Sequence, residues 1–235
     1  MIWKSVTGKK NWQLIFIPKE SVNMTQNKFH IYIVASYCNT VVGWLIRERA
    51  KLKFWNRYDG DTYSHISLSL DNKLDNMLSF ARKRPHNPLI SGLVREDIHT
   101  GILARHPDKN EIAVFALPVS REQYQSICRR LENDWERRES LKYNFLGLFT
   151  MLMVGRGAAR KDHYFCSQWV SEILQESGFD YWGGKKACHI RHFDIYIALR
   201  DYMVYEGCIA NYPPYKNALI GDEEHAGTNN ASGIL

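Results

Sequence analysis

The chain has 235 residues, of which 45% are hydrophobic and 13% aromatic, and its formal net charge is +6. That length supports one substantial core or two small ones, and the composition is that of a folded globular protein. No uninterrupted apolar stretch approaches the ~18 residues of a membrane-crossing helix, and the positive charge is spread rather than massed, so a solvated basic surface is the default and nucleic-acid binding is not predicted.

The cysteines, Cys38, Cys128, Cys166, Cys188 and Cys208, are odd in number and widely spaced, with no CxxC pair. That argues against a disulfide framework and agrees with a reducing cytoplasm. At the N-terminus, MIWKSVTGKKNWQLIFIPKESV sets lysines on both sides of a very short apolar run, without the cleavage signature of an export signal. The expectation is a cytoplasmic chain.

In chain order, residues 12–17 suggest a short strand, and residues 29–36, FHIYIVAS, a buried one. Thr40 reads as the N-cap of a helix over residues 41–54, followed by an Asp-Gly turn within residues 56–61. In residues 61–71, DTYSHISLSLD, Ile66, Leu68 and Leu70 alternate with His65, Ser67 and Ser69, the period of a strand with one buried face. A turn at residues 71–73 leads to a second, antiparallel strand over residues 76–83. Arg82, Lys83 and Arg84 are the densest basic cluster, either a solvated strand end or a grip for a phosphate or carboxylate.

Residues 85–92, PHNPLISG, read as loop, residues 93–98 as a short strand and residues 111–118, EIAVFALP, as a clear one. Ser120 with Gln123 resembles a capping box that opens a helix to about Arg137. Residues 143–154 form an apolar run too short to cross a membrane; burial is expected, with a membrane-surface role as the alternative. A last helical pattern covers residues 193–206. Residues 1–215 read as one domain and residues 216–235, poor in large apolar side chains, as a disordered tail.

The chemistry centres on Cys166. Trp169, Val170, Ile173 and Leu174 recur at helical spacing and Gly178 supplies a stop, which puts Cys166 at the first turn of a helix. Unpaired N–H groups there favour thiolate over thiol. The candidate partner is His65, whose imidazole can take a thiol proton and return it to a leaving group. His163 and Tyr164 precede the cysteine closely, as site lining or as ordinary loop. Cys188, His189 and His192 with Cys208 fit no usual zinc spacing, and no phosphate-binding Gly-rich loop or dinucleotide fingerprint is present, so neither metal nor cofactor is predicted.

SHISLSLDNKLDNMLSFA resembles the histidine hairpin of the NlpC/P60 superfamily of papain-like cysteine hydrolases, and FCSQWVSEIL resembles its nucleophile helix. Histidine first and cysteine later is the order of the circularly permuted branch, which includes lecithin:retinol acyltransferase-like proteins and bacterial YiiX-like and YaeF-like hydrolases. YNFLGL resembles a segment of bacterial proteins in that branch. The resemblance spans residues 29–178 and implies an α+β permuted papain-like fold, an antiparallel sheet packed against helices. It also implies acyl transfer from an amide or ester to Cys166, with His65 as base and Ser79 at or next to the third polar position. Peptides, peptidoglycan fragments and lipid conjugates are the implied substrates. A serine there orients an imidazole weakly, which leaves Glu96 or Asp71 as the orienting group, or a Cys-His dyad. The alternative is an inactive binding module for an anionic ligand, with Cys166 inert and the basic cluster as the grip.

Overall fold

The structure is a computed structural model and describes residues 29–37, 63–84 and 87–215. The expectations for residues 12–17, 40–54, 56–61 and 216–235 lie outside the described residues.

The architecture is α+β. A six-stranded antiparallel sheet is built from β1 (Phe29–Tyr37), β2 (His65–Ser69), β3 (Met77–Arg84), β4 (Asn87–Glu96), β5 (Glu111–Val119) and β8 (Met203–Cys208), in the order β4-β3-β2-β1-β5-β8. The helices are α1 (Arg121–Glu136), α2 (Phe145–Val154), α3 (Cys166–Glu176) and α4 (His192–Ala198), and β6 (Lys142–Tyr143) pairs in parallel with β7 (His163–Tyr164) just before α3. Among the described residues, no helix is long and apolar enough to cross a membrane.

Strand alternation gives the sheet two packed faces. Ile31, Ile33, Ile66, Leu68, Phe80 and Phe115 pack with Ile127 and Leu131 of α1 and with Trp169, Val170, Ile173 and Leu174 of α3. On the opposite face, Val34, Met77 and Val114 are covered by Leu74, Ile98, Leu103, Ile209 and Tyr212. Ser67 and Ser69 are therefore buried like the apolar residues between them, and β2 has no solvated face.

Local signals placed several elements correctly. β1 and β5 run in register along their whole length, from Phe29 opposite Val119 to Tyr37 opposite Glu111. The Ser120 hydroxyl accepts from the Gln123 N–H while the Gln123 side chain accepts from the Ser120 N–H, a complete capping box for α1.

Three expectations are corrected. Residues 87–92 belong to β4 rather than to a loop; β4 is an edge strand, where Pro88, which has no N–H to give, is tolerated. The pattern over residues 193–206 is a helix only to Ala198, because residues 203–208 pair with β5 along the other edge. α2 is not buried but half exposed, with Phe145, Leu146, Phe149 and Val154 facing solvent.

Candidate active site

Cys166 opens α3. Phe165, the residue before it, is extended, with φ −109° and ψ 166°, and Gly178 beyond the other end adopts a left-handed φ of +88° that suits glycine. The first turn is held from several sides. The Ser167 hydroxyl donates to the Ile190 carbonyl at 2.8 Å, and Gln168 accepts from the Asn144 side chain at 3.1 Å. Deeper in α3, the Trp169 indole donates at 2.8 Å to Asp134 of α1, a fully buried carboxylate also bound by Arg130 and Arg137. The position of Cys166 is thus fixed by the core rather than by a loop.

His65 begins β2 in the middle of the sheet. Positions 65 and 67 of β2, 79 of β3 and 96 of β4 lie on one side of three adjacent strands, with Met77 opposite Glu96 and Ser79 opposite Val94. This register brings the Glu96 carboxylate within 2.9 Å of His65 Nε2 through Oε2 and 3.1 Å through Oε1. Ser67 and Ser79 donate to Glu96 Oε2 at 2.6 and 2.8 Å, and Ser79 Oγ lies 3.0 Å from His65 Nε2. With both hydroxyl protons directed to the carboxylate, the Nε2–H donates to Glu96, with Ser79 Oγ as a second acceptor. The other ring nitrogen is left for the hydrogen bond with Cys166.

Charge follows from this arrangement. Burial disfavours imidazolium, yet the Glu96 charge and hydrogen bonds with Cys166 and Glu96 raise the His65 pKa well above its ordinary value. Burial likewise opposes the Cys166 thiolate, but the hydrogen bond and charge of His65, with the backbone N–H groups of Ile66 and Ser167, bring its pKa below the ordinary thiol range. The carboxyl of Glu96, despite burial, is lowered by His65 and by both serines. Glu96, His65 and Cys166 therefore form one hydrogen-bonded chain in which each group favours the charged form of the next. The contrast with other cysteines is sharp: burial and the Glu132 charge push Cys128 up to about 11, and burial raises Cys188.

Of the residues singled out in the sequence, Cys166, His65 and Ser79 come together. Ser79 supports Glu96 and touches the ring, while Glu96 is the charged third member. Asp71 is absent from this network; its carboxylate closes a turn by accepting from the Lys73 N–H at 2.9 Å. Arg82 lies near Tyr143, whose phenol is raised by burial and by the Cys166 charge and lowered by Arg82, which puts Arg82 at the margin of the site. Lys83 instead pairs with the exposed Glu139 at 3.0 Å. His163 Nδ1 donates to the Lys161 carbonyl at 2.6 Å. Tyr164 is a core residue rather than a lining one, its ring 5.2 Å from Phe80, because β7 pairs inward beside α3.

Two site residues carried no local signal. Tyr143, the last residue of β6, is close enough to feel the Cys166 charge. His192, at the start of α4, is close enough to feel that of His65; burial and Arg191 push it down to about 4, and its Nε2 is buried with no partner among the described residues. His192 is therefore held neutral beside His65.

No known protein family, no curated protein and no solved structure matches the chain.

Proposed function

We propose that the protein is a cysteine hydrolase or acyltransferase of the amidohydrolase or peptidase type, acting on an amide or ester bond. The carrying observation is the hydrogen-bonded series Cys166, His65, Glu96, in which the cysteine is held toward thiolate and the histidine toward imidazolium. A thiol that serves only to fill space gains nothing from a charged histidine with a buried carboxylate behind it.

In the proposed reaction, the Cys166 thiolate attacks the acyl carbon, forming a C–S bond and a tetrahedral oxyanion. Backbone N–H groups at the start of α3 and the protonated Tyr143 phenol are the donors available to it. As the C–N or C–O bond breaks, His65 gives its proton to the departing nitrogen or oxygen. Neutral His65 then takes a proton from water, or from a second acceptor, which attacks the thioester and releases the acyl group, restoring the thiolate. Glu96 keeps the ring oriented and balances its charge throughout.

The resemblance to the permuted NlpC/P60 branch supports the same reading, and an antiparallel sheet with the histidine on a central strand and the cysteine at a helix start is compatible with it. Its substrate classes, peptide, peptidoglycan fragment or lipid conjugate, remain part of the proposal.

The test is the pH dependence of iodoacetamide alkylation, with the labelled cysteine identified by mass spectrometry, in the native protein and in His65→Ala. Rapid labelling of Cys166 at pH 6–7, at least about tenfold faster than a cysteine of ordinary pKa and lost in His65→Ala, is expected. Labelling no faster than at Cys128 and indifferent to His65 would leave the anionic-ligand binding module as the better account.

A further inference from the structure

We propose that α2 is a docking surface for an anionic lipid bilayer, lying in the headgroup region without crossing it. The sequence FLGLFTMLMV has no polar face: Thr150 is its only polar side chain. Gly147 and Met151 turn inward, while Phe145 is 42%, Leu146 51%, Phe149 61% and Val154 70% exposed. Among the described residues nothing covers this apolar face, and a cluster of this kind marks an interaction surface.

The flanking charge says what covers it. Between Glu139 and Asp162 the chain has no acidic residue, yet it carries Lys142, Arg156, Arg160 and Lys161, all exposed. Among the described residues, Arg156, Arg160 and Lys161 take part in no ion pair. An apolar patch bordered by unpaired cations matches a surface that offers hydrocarbon beneath a layer of negative headgroups. A second copy fits poorly, because a two-fold contact through α2 would set the same cations against each other.

The geometry of the ends is also suited to a rigid surface element. Asn144 caps the helix by accepting from the Gly147 N–H at 2.9 Å and ties it to the Ala158 carbonyl at 2.8 Å. Gly147 has no room for a side chain, since a Cβ there would lie 2.7 Å from that carbonyl, and Gly155 ends the helix at a left-handed φ of +77°. The face therefore stands in place before any contact. At its N-terminal end, Phe145 packs at 4.7 Å between ring centroids on Tyr143, the tyrosine that feels the Cys166 charge. Docking through α2 would bring the candidate active site close to the bilayer, although the surface stands on its own whether or not Cys166 is a nucleophile.

The experiment is sedimentation of the full chain with phosphatidylcholine vesicles that do or do not contain phosphatidylglycerol. Binding to the anionic vesicles alone, weakening as salt rises, is expected. Leu146→Ser with Phe149→Ser should weaken it by more than about tenfold, and Arg156→Gln with Arg160→Gln by about fivefold per charge removed. All of these side chains are exposed, so thermal unfolding and Cys166 labelling should match the native protein. Failure to sediment with anionic vesicles, or sedimentation unchanged in both double variants, would overturn the proposal. So would a dimer by light scattering that the Leu146, Phe149 double variant dissolves, which would assign the face to a second copy.

Discussion

At the scale of single residues, the charge on Glu96 does what the hydroxyl of Ser79 cannot. Both reach His65 Nε2, but only the carboxylate favours the imidazolium, and through it the Cys166 thiolate. The thiolate persists below the ordinary thiol range because its pKa is lowered, and it is lost as pH falls through that lowered value. The imidazolium persists above about 6.5 and is lost as pH rises through its raised value. The two shifts run toward each other and so favour the ion pair over the neutral pair. Glu96→Gln keeps the shape and removes the charge, so the acid limb of Cys166 alkylation should move up by about 1–3 pH units. Ser79→Ala should leave that limb near its native position and cost about 1.5–3 kcal/mol in urea unfolding, the loss of one hydrogen bond to a charged group. If the two variants shift the limb equally, Glu96 is not the electrostatic partner. Cys166 and His65 could be read from a helix start and a strand alternation. Glu96 was one candidate among others, because only the β3–β4 register sets it beside the histidine. Tyr143 and His192 reach the site from elements far along the chain, and no local pattern announces that.

At the scale of elements, the order of the site depends on how α3 is seated against α1. Asp134 is fully buried and satisfies the Trp169 indole, Arg130 at 2.9 Å and Arg137 at 2.9 Å, while Arg130 also reaches Glu172 and Glu176 on α3. Asp134→Ala would strand a buried indole N–H and a partly buried guanidinium, and should cost about 3–5 kcal/mol in urea unfolding. Cys166 labelling near neutral pH should slow as α3 loosens, and an unchanged midpoint would show that the network does not tie the helices. Legibility differed among elements for physical reasons. α1 was readable because its capping box and apolar period are local. β4 and β8 were not, because each is a strand by virtue of its neighbour, one despite a proline and the other despite a helical pattern. The exposure of α2 was hidden because a helix apolar on all sides has no period to show which side is covered.

At the scale of the whole molecule, several buried groups make stability depend on pH in the same direction. His192 titrates at about 4 in the folded chain, chiefly through burial, against about 6.5 when unfolded. Its unfolded form binds the proton first, so stability is lost as pH falls from about 6.5 to 4 and then levels off. By linkage this amounts to at most about 3 kcal/mol. Glu96 and Asp194, the latter held low by Arg191 despite its burial, also have folded pKa values below the ordinary ones. Their contribution is present above the carboxylate range and disappears below it, which gives a second, more acidic stage. His65 acts in the opposite sense: its contribution is full below about 6.5 and declines only as pH rises through its raised folded value. Urea midpoints measured from pH 8 to pH 3 should therefore fall in two stages. His192→Gln removes the imidazole and leaves both carboxylates, so the first stage should flatten while the second remains. A first stage that persists in His192→Gln would move its origin away from the neutral histidine beside the candidate site.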